Sequence, residues 1–328
     1  MVHSSSIVTF VASAAALVTI TLMPGPAASQ AAYPSQAIKL MVPNPAGGLP
    51  DTVARIVGRH LQERLQQPVV VENRPGANGR VAVATLLNAP ADGYTLLVTD
   101  GAIISINPVL FANLSYEPND ILPIAMLARA PLFLAVHPKV PAATMSEFIA
   151  YAKARPGQLN YGSSGVGSTH HLSMEAMNAS LKLTMTHVPF KGTGESVPAL
   201  LGGHIELLFS AYPSLSGAAD ANQIRLLATN GAERSAQLPN LPSLSEFVPG
   251  FDFAPVIGIF GRSGITPAVV QKIAAEALAA VKEPDLIRQL MVVGVEPAGT
   301  GPGDFAAVLQ GESRRVAETL RAAGITAK

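Results

Sequence analysis

The 328-residue sequence predicts an α/β protein of two lobes, each a mostly parallel sheet flanked by helices, with a cleft between them. Three observations predict it. Short apolar runs rich in Val, Ile and Leu alternate with amphipathic helical segments, the pattern of βαβ units. Two strand–glycine turn–helix passages, LMVPNPAGGLPDTVAR from Leu40 and LNYGSSGVGSTHHLSME from Leu159, stand far enough apart to belong to different lobes. The length also suits two domains at ~100–200 residues each.

From Ile7 to Met23 the chain is apolar and small, too short for a comfortable membrane span, and Ser29-Gln30-Ala31 offers small residues at both cleavage-determining positions. This predicts a secretory signal peptide over residues 1–31, cut near Ala31, and an exported mature protein. No Lys or Arg precedes Lys39, so an uncleaved N-terminal anchor is the rival reading. After Ala32 no apolar run approaches ~18 residues, which predicts a soluble mature part.

In the first lobe Ile38–Val42 reads as a strand, Asp51–Leu65 as a helix with Val53, Ile56, Val57 and Leu61 on its apolar side, and Val69–Glu72 as a strand. Val81–Asn88 follows as a helix and Thr95–Val98 as a strand. In the second lobe the strand candidates are Leu132–Val136, Leu159–Tyr161, Thr186–Val188, Ile205–Phe209 and Ile224–Ala228. Helices are expected near Met145–Ala154, Leu172–Ala179 and Glu195–Leu201. APLFLAVHPKVPAATMSEFIAYAKA from Ala130 is echoed by VIGIFGRSGITPAVVQKIAAEALAA from Val256, each a strand, a proline-containing turn and an amphipathic helix. If each marks the chain entering a lobe, residues 32–129 and 250–328 form the first lobe and 130–249 the second. The rival account is that such units resemble one another anyway.

Charged residues make up 13% and cancel to zero net charge, so the chain carries no electrostatic footprint for nucleic acid or an anionic membrane. Without cysteine there is no thiolate metal site, disulfide or Cys nucleophile. Neither GxGxxG nor GxxxxGK[ST] occurs in a strand–helix context, and no cofactor is implied. Gly162-Ser163-Ser164-Gly165-Val166 has valine where a nucleophile elbow needs its last glycine, so no enzyme is predicted. His170 and His171 are adjacent, diverge by about 100° on a helix and make no chelating pair, so no metal is expected.

The chemistry concentrates in the two loops. A strand ending in glycines before a helix presents unpaired N–H groups at the positive end of the helix dipole, a site for a carboxylate. In the first loop the candidates are the backbone N–H groups of Ala46, Gly47, Gly48 and Leu49, with Asp51 as N-cap; an ordinary tight turn is the alternative. In the second, Ser163, Ser164, Gly165, Gly167, Ser168 and Thr169 supply hydroxyls and free amides at a helix start. Lys191 follows a strand and either adds a cation to the site or points into solvent. Ser210 and Thr99 end strands where cleft residues are expected, whereas Asp100 would repel a carboxylate. ENRPGANGR, from Glu72, has balanced charges and reads as a structural turn in which Asn73 and Arg74 brace the lobe.

VPNPAGGLPDTVAR, VVVENRPGANGRVA, ADGYTLLV, INPVLF, LNYGSSGVGSTHHL, PFKGTGESVPALLGGHIELLFS, IRLLATNGAERSAQLPNLPSLSEFVPGF and GVEPAGTGPGDFAAVLQGE occur in order between Tyr33 and Ile325. Together they resemble the Bug family, periplasmic solute-binding components of tripartite tricarboxylate transporters. The resemblance implies a type II periplasmic binding protein fold and a small carboxylate as ligand. It further implies permease subunits as partners and a monomeric receptor. A periplasmic sensor that passes the bound state to a signalling receptor is the alternative. The family's ligand loops fall on Asn44 to Asp51 and on Ser163 to Thr169, and grip a carboxylate through amides, hydroxyls and water without requiring an arginine clamp. Three departures stand out: Asn44 where an aromatic residue is usual, Pro50 in place of a hydroxyl residue, and Ser210-Ala211 where aspartate and asparagine are common.

Overall fold

The computed structural model describes Met1 and residues 33–325. The signal peptide expected over residues 1–31 lies, Met1 apart, outside the described residues. Strand β1 (Ile38–Val42), helix α1 (Leu49–Leu65), β2 (Val69–Asn73), α2 (Arg80–Asn88) and β3 (Thr95–Asp100) follow in order. β1 pairs in parallel with both β2 and β3. Period-two alternation sends Ile38, Leu40 and Val42 to the face covered by α1, while Met41 packs with Ala82, Val83 and Leu86 of α2 on the other. Two short helices, α3 (Ala102–Ser105) and α4 (Asn107–Leu110), lead to β4 (Ile121–Arg129), and only Ala130 and Pro131 separate β4 from β5 (Leu132–Val136).

The chain then builds a second sheet: α5 (Met145–Lys153), β6 (Asn160–Ser163), α6 (Thr169–Leu181), β7 (Thr186–Pro189), α7 (Thr193–Leu201), β8 (Leu207–Ala211), α8 (Ser216–Asp220) and β9 (Arg225–Thr229). It returns through β10 (Val256–Arg262), α9 (Pro267–Ala280), α10 (Pro284–Val292), β11 (Glu296–Thr300) and α11 (Pro302–Ala322). The strand order is β11-β4-β10-β3-β1-β2 in the first sheet and β7-β6-β8-β5-β9 in the second.

The sheets are mixed, which corrects the expectation of mostly parallel ones. β10 runs antiparallel to β3 and β4, β11 to β4, and β5 to β8 and β9. Parallel neighbours require a long crossover on one sheet; β5 and β10 are strands on which the chain arrives from the other sheet, so that constraint does not bind them. Helix boundaries also moved: α1 starts at Leu49 and α6 at Thr169.

Helix α11 and one buried side chain join the sheets in addition to the chain itself. Helix α11 places Phe305 and Leu309 in the core of the first sheet and Val316 and Leu320 in that of the second. Asn230, fully buried, donates from Nδ2 to the Phe253 carbonyl (2.8 Å) and to Ser173 Oγ (3.0 Å), while its Oδ1 accepts the Leu132 N–H (2.8 Å). One side chain thus ties both crossing segments to α6.

Candidate functional site

The first loop is organised by Asp51, and not as expected. The N-cap of α1 is Gly48, and Asp51 lies in the first turn. Its carboxylate reaches back to accept the Gly47 N–H (2.9 Å), and also accepts from Arg55 Nε (3.0 Å) and Asn73 Nδ2 (2.9 Å). Burial alone would raise its pKa; the hydrogen bonds from Arg55, Gly47 and Asn73 outweigh that and hold the carboxyl below the usual carboxylate range. Asn73 also donates to the Asn44 carbonyl (3.0 Å), so it braces the loop, as the sequence suggested. The Gly48 N–H goes to the Pro45 carbonyl (3.2 Å). Of the four expected amides, those of Ala46 and Leu49 are without partners among the described residues.

Thr99 is buried on β3 opposite Gly258. Asp100 accepts the Ala102 N–H (3.2 Å), and burial raises its pKa. The aspartate that looked out of place therefore caps the start of α3 and tends toward the neutral form.

The second loop leaves β6 at Ser163. Ser168 caps α6, accepting the His171 N–H (3.3 Å) and donating to the Gly165 carbonyl (2.8 Å). The Gly167 N–H donates to His171 Nδ1 (3.1 Å), which fixes that imidazole with its proton on Nε2. Ser163 Oγ accepts the Gly165 N–H (3.1 Å) and lies 2.7 Å from His187 Nε2. His187 belongs to β7, where parallel register sets it beside Tyr161, and the His187 ring stacks between those of Tyr161 and His171. Burial first, then the neighbouring His171, lowers the His187 pKa to about 4, so the ring is neutral. This Ser–His contact escaped the sequence reading. Ser163 is only 1% exposed and bonded inside its own loop, and no carboxylate bonds His187 among the described residues. The pair braces the loop.

Thr169 opens α6 behind its cap. Lys191 is exposed; its backbone N–H donates to Glu195 Oε2 (3.2 Å), and its ammonium has no partner among the described residues. The hydroxyls of Ser164 and Ser210 are buried and unpartnered. Register sets Tyr161 beside Leu207 and Gly162 beside Leu208; Ser164 follows the last residue of β6, and Ser210 is the penultimate residue of β8. Both unpartnered hydroxyls lie near the carboxyl ends of β6 and β8, where ligands of α/β sheets bind.

The second loop also touches the first sheet's connections. A Cβ on Gly167 (φ +82°) would lie 2.8 Å from Leu110 Cδ1 of α4, so only glycine fits there. A separate hollow of about 350 Å³, among Ala176, Ser180, Phe251, Phe253, Arg315 and Glu318, lies toward the other end of α6. No group of three or more His, Asp or Glu among the described residues is placed to hold a metal ion. No helix among them is long and apolar enough to cross a membrane.

Two mixed α/β layers, each with a glycine-rich loop at the end of a strand, define a two-lobed binding-protein architecture. Residues 53–325 match the family described as tripartite tricarboxylate transporter family receptor, TctC, and the chain belongs to that family. BugT of Bordetella pertussis is 29% identical over 299 residues, covering 90% of this chain and 92% of BugT. Among solved structures, R. palustris Rpa4515 with adipate aligns at a TM-score of 0.76 and 30% identity, covering 90% of this chain and all of that one. MatC of Rhodopseudomonas palustris with bound malate aligns at 0.69 and 28%, covering 88% and 100%. Receptors of this family are periplasmic solute-binding proteins.

Proposed function

We propose that this receptor captures a small carboxylate between two lobes and delivers it to the membrane permease of a tripartite tricarboxylate transporter. The lobes are residues 32–129 with 250–328, and residues 130–249. Membership of β10 and β11 in the sheet of β1 to β4 supports that division. Residues 1–31 act as the export signal, and the receptor works as a monomer.

The observation that carries this reading is the pair of buried, unpartnered hydroxyls on Ser164 and Ser210. An unsatisfied buried hydroxyl is costly, and a bound carboxylate would supply each with an acceptor. The amides of Ala46 and Leu49, together with Asn44 and Thr99, receive the solute from the first lobe. Ser163, Ser168, Gly165 and Gly167 hold the second loop in shape. That dicarboxylates occupy the related adipate and malate complexes agrees with this chemistry. Closure is driven only by contacts made in the closed form, since a ligand with equal affinity for both forms shifts nothing.

Calorimetric titration of residues 32–328 with four- to six-carbon carboxylates tests the site. Ser164→Ala and Ser210→Ala should each raise Kd at least about tenfold, the range for a hydrogen bond to a charged group. Unchanged affinity in both variants would remove these hydroxyls from the site. Uptake that persists in a deletion strain, with an altered transcriptional response to the solute, would replace delivery by sensing.

A further inference from the structure

Arg80 is the first residue of α2, directly after a turn in which Gly76, Ala77, Asn78 and Gly79 all have positive φ. The turn lies beyond the end of β2, at the sheet edge where the parallel strands β1 and β3 also end. A Cβ on Gly79 would come within 3.4 Å of Pro43, the residue before Asn44, so the start of α2 abuts the root of the first loop. The Asn107 side chain of α4 holds the turn from the other side, donating to the Asn78 carbonyl (2.9 Å). The Arg80 guanidinium lies 5.2 Å from the centre of the Phe111 ring. Phe111 follows Leu110, the residue pressed against Gly167 of the second loop. Arg80 is therefore bracketed by neighbours of both loops.

Its bonding is incomplete. Nε donates to the Ala77 carbonyl (3.0 Å), while both terminal nitrogens lack a hydrogen bond or ion pair among the described residues. Arg74, in the same segment, is already paired with Glu72. A cation at a helix N-terminus also opposes the helix dipole, so α2 gains nothing from this charge. Phe111 holds the guanidinium face by a cation–π contact and leaves its fork free for a planar anion.

We infer that Arg80 anchors a second acidic group of the solute, so that the receptor selects dicarboxylates over monocarboxylates of equal length. The inference rests on the carboxylate reading of the cleft, and adds to it an arginine that the family resemblance does not require. One carboxylate meets the neutral hydroxyls and amides, and the other meets Arg80 as a bidentate partner.

The test is calorimetric titration of residues 32–328, wild type, Arg80→Gln and Arg80→Lys, with paired probes: succinate and butyrate, glutarate and pentanoate, adipate and hexanoate. The wild type should prefer the diacid of a pair. Arg80→Gln should lose at least tenfold in that preference, with Arg80→Lys between the two. Thermal unfolding without ligand should show Arg80→Gln unfolding cooperatively close to the wild-type midpoint, losing only the Ala77 and Phe111 contacts, which separates lost recognition from lost structure. A preference for the monoacid, or a diacid preference that survives Arg80→Gln, overturns the inference while leaving the carboxylate site standing. Failure of the wild type to bind any probe overturns both.

Discussion

Asp51 is 2% exposed yet stays ionised, because three donors converge on its two oxygens and one of them is charged. Its work is to hold the Gly47 amide and the Asn73 side chain, and through them the path of the first loop. Truncation would leave the Gly47 amide, the Asn73 carboxamide and the Arg55 guanidinium without this acceptor. Asp51→Ala should therefore lower stability by about 1–3 kcal/mol in urea titrations, and weaken solute binding through the loop. A folded-state pKa below the unfolded value means that the contribution is complete above the ordinary aspartate range, and is lost as pH falls through the lowered value. Asp51→Asn should flatten the stability profile below about pH 4, where ordinary aspartates titrate; an unchanged acid limb would mean that other carboxylates set it. Ser163 shows the complementary lesson. Its hydroxyl is spent on Gly165 and His187, whereas the neighbouring Ser164 hydroxyl is the one left open.

At the scale of elements, the second loop depends on two neutral imidazoles. His171 Nδ1 accepts the Gly167 N–H, and protonation would remove that acceptor; His187 holds Ser163. Burial lowers both pKa values, that of His187 to about 4. Unfolded histidine takes up its proton near pH ~6.5, so the stability that these rings contribute is complete above that value and is lost as pH falls toward 4. Solute affinity should hold from pH 8 to about 5, then fall on the approach to pH 4, where His187 charges; His187→Gln should shift or abolish the fall, as measured by titration across pH. Gly167→Ala should destabilise by about 1–3 kcal/mol, since it adds strain at positive φ to a clash with Leu110. These loops were legible because Gly and Ser runs between a strand and a helix have few other uses. The His187 contact was not, because it depends on the parallel register of β6 and β7, which no local pattern encodes. β4 was missed for a related reason: Pro123 interrupts it and burial on both faces removes the alternation that marks a strand. The short β11, with Pro297 and Gly299, reads as a loop until β4 is there to pair with it.

Across the whole molecule, α11 is the element with most at stake, since it belongs to the cores of both sheets. Where it passes α3 and the end of β3 it carries Glu312, buried, with one carboxylate oxygen unpartnered and pressed close to Gly101. Burial raises the Glu312 pKa to about 7, and Asp100 and Asp252 push in the same direction, against Ser105 and Arg315. Asp252 in turn is held by Arg129 (3.2 Å), and Arg315 donates to its carbonyl (2.8 Å), where the returning chain crosses between sheets. A raised acid pKa works in the opposite sense to that of Asp51. Between the ordinary glutamate value and 7 the folded protein holds a proton that the unfolded chain has released, so stability declines as pH rises through that window and levels off above it. Glu312→Gln keeps the neutral shape and removes the titration. It should be more stable than wild type at pH 8, by about 1–3 kcal/mol, and lose that advantage near pH 4. Denaturant unfolding at the two pH values reads this directly. A constant difference would place the proton elsewhere, whereas convergence at acid pH would make the seam between α11 and α3 the part of the molecule that senses a rise through neutrality.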